Sequence, residues 1–193
     1  MNVRRQLRTA LESVFVCAAF ALIPWWPSRA IVRAAGAFGR LAFATCRALR
    51  GVTLANLRAA YGTAPSDDEL RRIGLQSFQT FALVAMDLFW FGVFTRRRVL
   101  RHVAFDESME VSLDLRPVVF VTGHLCNWEV VWLAMALQGA PSLSVAARLK
   151  SPVVEFVINR VRRRTGQGII HKLGALRGVV QETTRELVAK AQI

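Results

Sequence analysis

The chain has 193 residues, a mean hydropathy of +0.33 and a formal net charge of +13, with 26 basic against 13 acidic side chains. That length suffices for one domain with a real core. Of the basic residues 23 are Arg and 3 are Lys, so the charge is permanent guanidinium, suited to an anionic partner: nucleic acid, an acidic membrane surface or an acidic carrier protein. Cys17, Cys46 and Cys126 are isolated in apolar sequence. They lack C-x-x-C spacing and read as core thiols in a reducing compartment, with no metal implied.

Residues 1–27 begin with Arg4, Arg5 and Arg8 and continue as an apolar run from Val14 to Trp26. With Trp25-Trp26 as an interfacial anchor, this segment is expected to be a retained membrane anchor that spans or dips into the bilayer. A signal peptide and a buried amphipathic helix are the competing readings. Ser28 can cap a second helix to about Leu49. Gly51 is expected to break it before a short helix over 53–60, and Gly62 to Pro65 read as a turn. Ser66-Asp67-Asp68-Glu69 is a capping box. It opens a helix with apolar spacing at Leu70, Ile73, Phe78, Phe81, Val84, Ala85, Leu88 and Phe89, sustained to about Phe94. Its Leu88-Phe89-Trp90-Phe91 end suits core first, an acyl groove or membrane second. Arg96-Arg97-Arg98 closes the helix in this reading.

Residues 101–106 read as a strand and Glu107 to Leu113 as a short helix. Val118-Val119-Phe120-Val121 follows Pro117 as a buried strand, ended by Gly123 and His124. A helix begins near Asn127, a good N-cap, and stops near Gly139-Ala140-Pro141. Ser142 to Ala147 read as a strand, Pro152 to about Thr165 as a helix, Gly168-Ile169-Ile170 as a strand, and Leu173 to Lys190 as a last helix. Strands alternating with helices imply crossover units. The expected fold class is therefore α/β, with a mainly parallel sheet flanked by helices. Three parts are expected: an anchor over 1–27, a helical part over 28–100, and an α/β catalytic part over 101–193.

The chemistry concentrates in Gly123-His124-Leu125-Cys126-Asn127-Trp128-Glu129. Residues five apart on a straight helix are rotated by about 140°, so His124 and Glu129 pair only if His124 lies in the turn before the helix. There the helix N-terminus favours a carboxylate, and a carboxylate beside an imidazole fixes its tautomer and makes its free nitrogen a better base. No G-x-S-x-G elbow, Gly-rich phosphate loop or metal-ligand spacing is present in the sequence.

Gly-His-x-x-Asn-Trp-Glu after an apolar strand resembles the signature of the bacterial lipid A biosynthesis acyltransferases of the late lauroyl/myristoyl transferase type. Ala55-Asn56-Leu57-Arg58-Ala59-Ala60-Tyr61 resembles that family's Asn-Leu-Arg segment. Arg148-Leu149-Lys150-Ser151-Pro152 and Asn159-Arg160-Val161-Arg162 resemble its basic segment. Cys126 stands where the family has a small Gly-like residue, and it strains the turn if that position needs a positive φ.

The resemblance implies a glycerolipid-acyltransferase-like fold on the cytoplasmic face of the bacterial inner membrane. It implies acyl transfer from acyl-carrier protein or acyl-CoA to a hydroxyl of a lipid-linked sugar, without a cofactor, a metal or nucleic acid. His124 would be the general base and Glu129 its orienting acid. Arg148, at a strand end, is the candidate oxyanion donor, with Lys150 and Asn127 as further substrate-binding candidates. Family members continue beyond the point matching residue 180, so the chain reads as C-terminally truncated. Two alternatives stay open: an inactive truncated homologue, and a basic, membrane-anchored binding protein without chemistry.

Overall fold

The computed structural model describes residues 3–107, 109, 120, 123, 126–140, 142–149 and 151–171. Its first helix, α1, is Val3–Leu22, followed by a 3-10 turn at Ile23–Trp25. Then come α2 (Ser28–Thr45), α3 (Arg47–Tyr61), α4 (Asp67–Gly92), α5 (Thr95–His102) and α6 (Trp128–Leu137). Strand β1 (Leu143–Ala146), α7 (Pro152–Arg164) and β2 (Gly168–His171) complete the described elements.

One compact unit is built from residues 20–93 together with Cys126 and Asn127. Its frame is α2 against α4. Gly39 makes that approach possible: a Cβ there would lie 2.5 Å from Gln79 Cα and 2.7 Å from Gln79 N, inside any real contact distance. Ser66 caps α4, its Oγ accepting from the Glu69 amide at 3.3 Å. Arg58 on α3 reaches Asp67 in the first turn of α4 at 2.9 Å and holds that carboxyl below the usual range. At the far end of α4, Trp90 is buried and its indole N–H donates to the Trp26 carbonyl at 2.9 Å, while Phe89 meets Phe20 edge-on. The aromatic end of α4 is therefore core.

The second unit comprises the start of α1 and the described residues from Phe94 onward, apart from residues 126–127. β1 and β2 pair in parallel, Leu143 opposite Gly168 through Ala146 opposite His171, with α7 as the crossover. Met135 of α6 and Ala140 are buried beneath Phe105, Met109, Phe120 and Trp132.

Several expectations are overturned. The mainly parallel sheet flanked by helices is not the observed architecture: 76% of the described residues are helical, and the strands are two short ones. Part of the reason is local. Residues 101–106, expected as a strand, begin inside α5, and 103–106 have no strand pairing among the described residues. The membrane-spanning anchor also fails, since no described helix is long and apolar enough to cross a membrane. In α1 the charged residues reach Glu12, which leaves Ser13–Leu22, about 15 Å of helix against about 30 Å of hydrocarbon. Glu12 itself accepts from the Ser151 hydroxyl at 2.6 Å, and Val16 and Ala19 are buried.

Smaller corrections have equally local causes. The break between α2 and α3 falls at Cys46, and Gly51 lies inside α3. Arg50 makes that break tenable, because its guanidinium donates to the Phe43 and Ala44 carbonyls at 2.8 and 3.1 Å. These are carbonyls at the helix end that need donors. Arg96-Arg97-Arg98 opens α5; α4 has already ended at Gly92, and Phe94 turns the chain at a positive φ of 56°. All three cysteines are exposed. Of the helix expected over 107–113, Glu107 and Met109 are helical, and the Met109 amide donates to Asp106 Oδ1. The strand expected over 118–121 is described only at Phe120, and the helix expected over 173–190 lies outside the described residues.

Candidate functional site

Helix α6 starts one residue after Asn127, which puts Glu129 in its first turn. Glu129 faces α7. Arg162 Nε donates to Glu129 Oε2 at 3.0 Å, and Arg162 Nη2 engages Oε1, closing a two-point fork. The Trp128 indole N–H also donates to Oε1, at 3.2 Å. Both side chains are largely out of solvent, 15% exposed for Arg162 and 13% for Glu129. A planar guanidinium on a planar carboxylate fixes direction as well as distance, so the motif's acid is held in one orientation.

Sequence reasoning placed Arg162 only within a basic segment and missed this partnership, which joins residues 33 apart. A signal was present. Val154, Ile158, Val161 and Thr165 follow helical spacing along the packed face of α7, and Arg162 sits one turn from Ile158 on that side. Phe156, Arg160, Arg163 and Arg164 occupy the other side. Arg160 is about 200° from Arg162 around the axis.

The outer face of α7 lines a surface cavity of about 680 Å³. Arg148, two residues beyond the end of β1, contributes to it with Glu155, Phe156, Asn159, Arg160, Arg163 and Arg164. Arg148 is exposed. Glu129 is not among the lining residues, so the structure groups Arg148 with the outer guanidinium face and Glu129 with Arg162. Such a face suits anionic oxygen ligands.

Asn127 makes a different contact. Its side-chain amide donates to Asp87 Oδ2 of α4 at 2.7 Å. Burial raises the Asp87 carboxyl to about 6, a rise only partly offset by that hydrogen bond. Cys126, beside it, has a φ of +46°, in the left-handed region where glycine is at ease. His124 and Lys150 lie outside the described residues. Among the described residues no cluster of three His, Cys, Asp or Glu side chains could hold a metal ion.

Neither the curated proteins nor the solved structures provide a match to this chain. A family model described as bacterial lipid A biosynthesis acyltransferase matches residues 2–189, nearly the whole sequence. The chain belongs to the bacterial lipid A biosynthesis acyltransferases: it is an acyltransferase acting in lipid A biosynthesis.

Proposed function

We propose that the chain moves a fatty acyl group from a thioester, on acyl-carrier protein or coenzyme A, to a hydroxyl of a lipid-linked sugar. The Nε2 or Nδ1 lone pair of His124 takes the hydroxyl proton as the oxygen attacks the thioester carbonyl carbon. The C–S bond then breaks, and the imidazolium returns the proton to the leaving thiolate. Glu129 orients the imidazole, and Arg162 keeps Glu129 from turning away. Arg148 and backbone N–H groups at the start of α6 are the donors for the tetrahedral oxyanion, with Lys150 as a further substrate contact. The observation that carries this reading is the Arg162–Glu129 fork: the motif's acid is immobilised within one residue of the helix start. Pre-set orientation is what an acid of this kind must have.

The same proposal puts the protein at the cytoplasmic face of the inner membrane, in contact with anionic glycolipid. In support, α1 exposes Leu7, Leu11, Val14 and Phe15, a one-sided stripe at helical spacing, and its sequence begins with Arg4, Arg5 and Arg8. An apolar stripe beside cations suits a helix lying in the plane of an anionic interface.

The test is transfer of labelled acyl chains from acyl-carrier protein, and separately from acyl-CoA, to lipid A precursor. His124→Ala is expected to lower kcat by about 10²–10⁴. Wild type and His124→Ala with equal rates would overturn the mechanism, and salt-sensitive glycolipid binding without turnover would leave a binding protein.

A further inference from the structure

Asp87 occupies an odd place. It lies on α4 between Val84 and Phe91, both buried, at the i+3 and i−4 positions that continue their stripe. A carboxyl on a packed helix face is costly unless it is matched by a donor. The matching donor comes from a distant part of the sequence: Asn127 of the His-x4-Glu segment, 40 residues on. The bond is short at 2.7 Å, and removal from water is strong enough to raise the carboxyl to about 6. In such surroundings a hydrogen bond to a charged acceptor holds its donor more firmly than it would in water. Asn127 lies three residues after the base and two before the acid. The chain beside it is already committed to a costly geometry at Cys126, and a strained turn persists only where neighbouring contacts over-determine it.

We infer that Asp87 is a positioning residue for acyl transfer: from α4 it clamps the side chain of Asn127, the residue that stands between the motif's base and its acid in the sequence. This rests on the proposed role of His124. Asp87 touches no reacting atom; it acts through Asn127. The role needs an acceptor oxygen at residue 87 and a donor at residue 127, and it is indifferent to which of the two is the acid.

The experiment is a double-substitution cycle on the full chain with two readouts. In equilibrium unfolding, Asp87→Ala and Asn127→Ala are each expected to lower the folding constant. The double variant is expected to lose no more than the worse single, with a coupling of about tenfold or more. Additive losses overturn the clamp. In acyl transfer, Asp87→Ala is expected to lower kcat at least tenfold with KM within about twofold, the split of a misplaced catalytic group. Asp87→Asn, which keeps an acceptor oxygen, and the exchanged pair Asp87→Asn with Asn127→Asp are both expected to recover most of kcat. Equal kcat for wild type and Asp87→Ala overturns the positioning role, as does failure of both acceptor-preserving variants when they fold as wild type does. Should wild type transfer no acyl group from either donor, the proposed function fails, and the unfolding cycle decides whether Asp87 holds Asn127.

Discussion

At the scale of single residues, the motif segment is held by side chains with opposite electrostatic economies. Asp87 is a carboxyl that folding makes harder to ionise. Its folded value of about 6 lies above the ordinary 3.8, so the sign of its linkage is unfavourable at neutral pH. Below about pH 4 both folded and unfolded chains carry the proton and nothing is lost. Between the two values the unfolded chain ionises first, and stability falls until about pH 6. The total loss is at most about 3 kcal/mol, from about 1.4 kcal/mol per pH unit of difference. Asp87→Asn keeps an acceptor for Asn127 and cannot ionise. It should therefore be more stable than wild type above pH 6, and the advantage should shrink to nothing near pH 4, as read by urea unfolding across that range. Cys126 carries a different cost. At φ +46° its Cβ crowds the backbone, and Cys126→Gly should gain about 0.5 to 1 kcal/mol once the extra freedom of unfolded glycine is offset. A thermal scan should show a rise of about 1–3 °C.

Between elements, two contacts decide how helices approach. The Arg162–Glu129 fork ties α7 to α6 with little solvent around it. Removing one partner leaves the other charge unmatched, so Arg162→Ala should cost about 3–5 kcal/mol. Arg160→Ala, on the open face, should stay within about 0.5 kcal/mol, and comparing the two in guanidinium unfolding isolates the fork. In the other unit, Gly39 lets the backbone of α2 lie directly on α4 at Gln79. A methyl group there meets main-chain atoms that cannot rotate away. Gly39→Ala should therefore lose about 1–3 kcal/mol or more, despite the better helix propensity of Ala. Gly51 has open space around it, and Gly51→Ala should instead gain about 0.5–1 kcal/mol.

For the whole molecule, the +13 charge and the α1 stripe belong to one proposal about location. Sedimentation with vesicles containing anionic lipid should bring the protein down at low salt and release it as salt rises, since exposed charges are screened beyond about 10 Å at 0.1 M. Leu11→Glu with Phe15→Glu should weaken that binding at least tenfold and leave folding intact, because both side chains are exposed. Vesicle binding that ignores these two changes would remove α1 from the contact.

Local chemistry determined a good deal by itself. Ser66 capping α4, Ser151 capping α7, Pro152 opening it and Gly166 closing it follow from turn and cap preferences that act over a few residues. The elements from residue 142 to 170 stand where hydrophobic spacing put them. The family, too, was legible in one seven-residue segment and its flanks, and the match over residues 2–189 bears that out.

What the tertiary structure decided were choices between near-equal local options. Residues 101–102 belong to a helix although their neighbours suited a strand, and the break after α2 moved to Cys46 because Arg50 supplied donors there. The apolar N-terminus packs through Val16 and Ala19 and pairs Glu12 with Ser151, where hydropathy pointed to a span. Arg162 was chosen from four nearby arginines by the helix face it occupies, and Asp87 from many acids by a single amide 40 residues away. Spacing along a chain sets which face a side chain takes. Only the folded chain sets what that face meets, because contacts between distant segments cost loop entropy that no local pattern records.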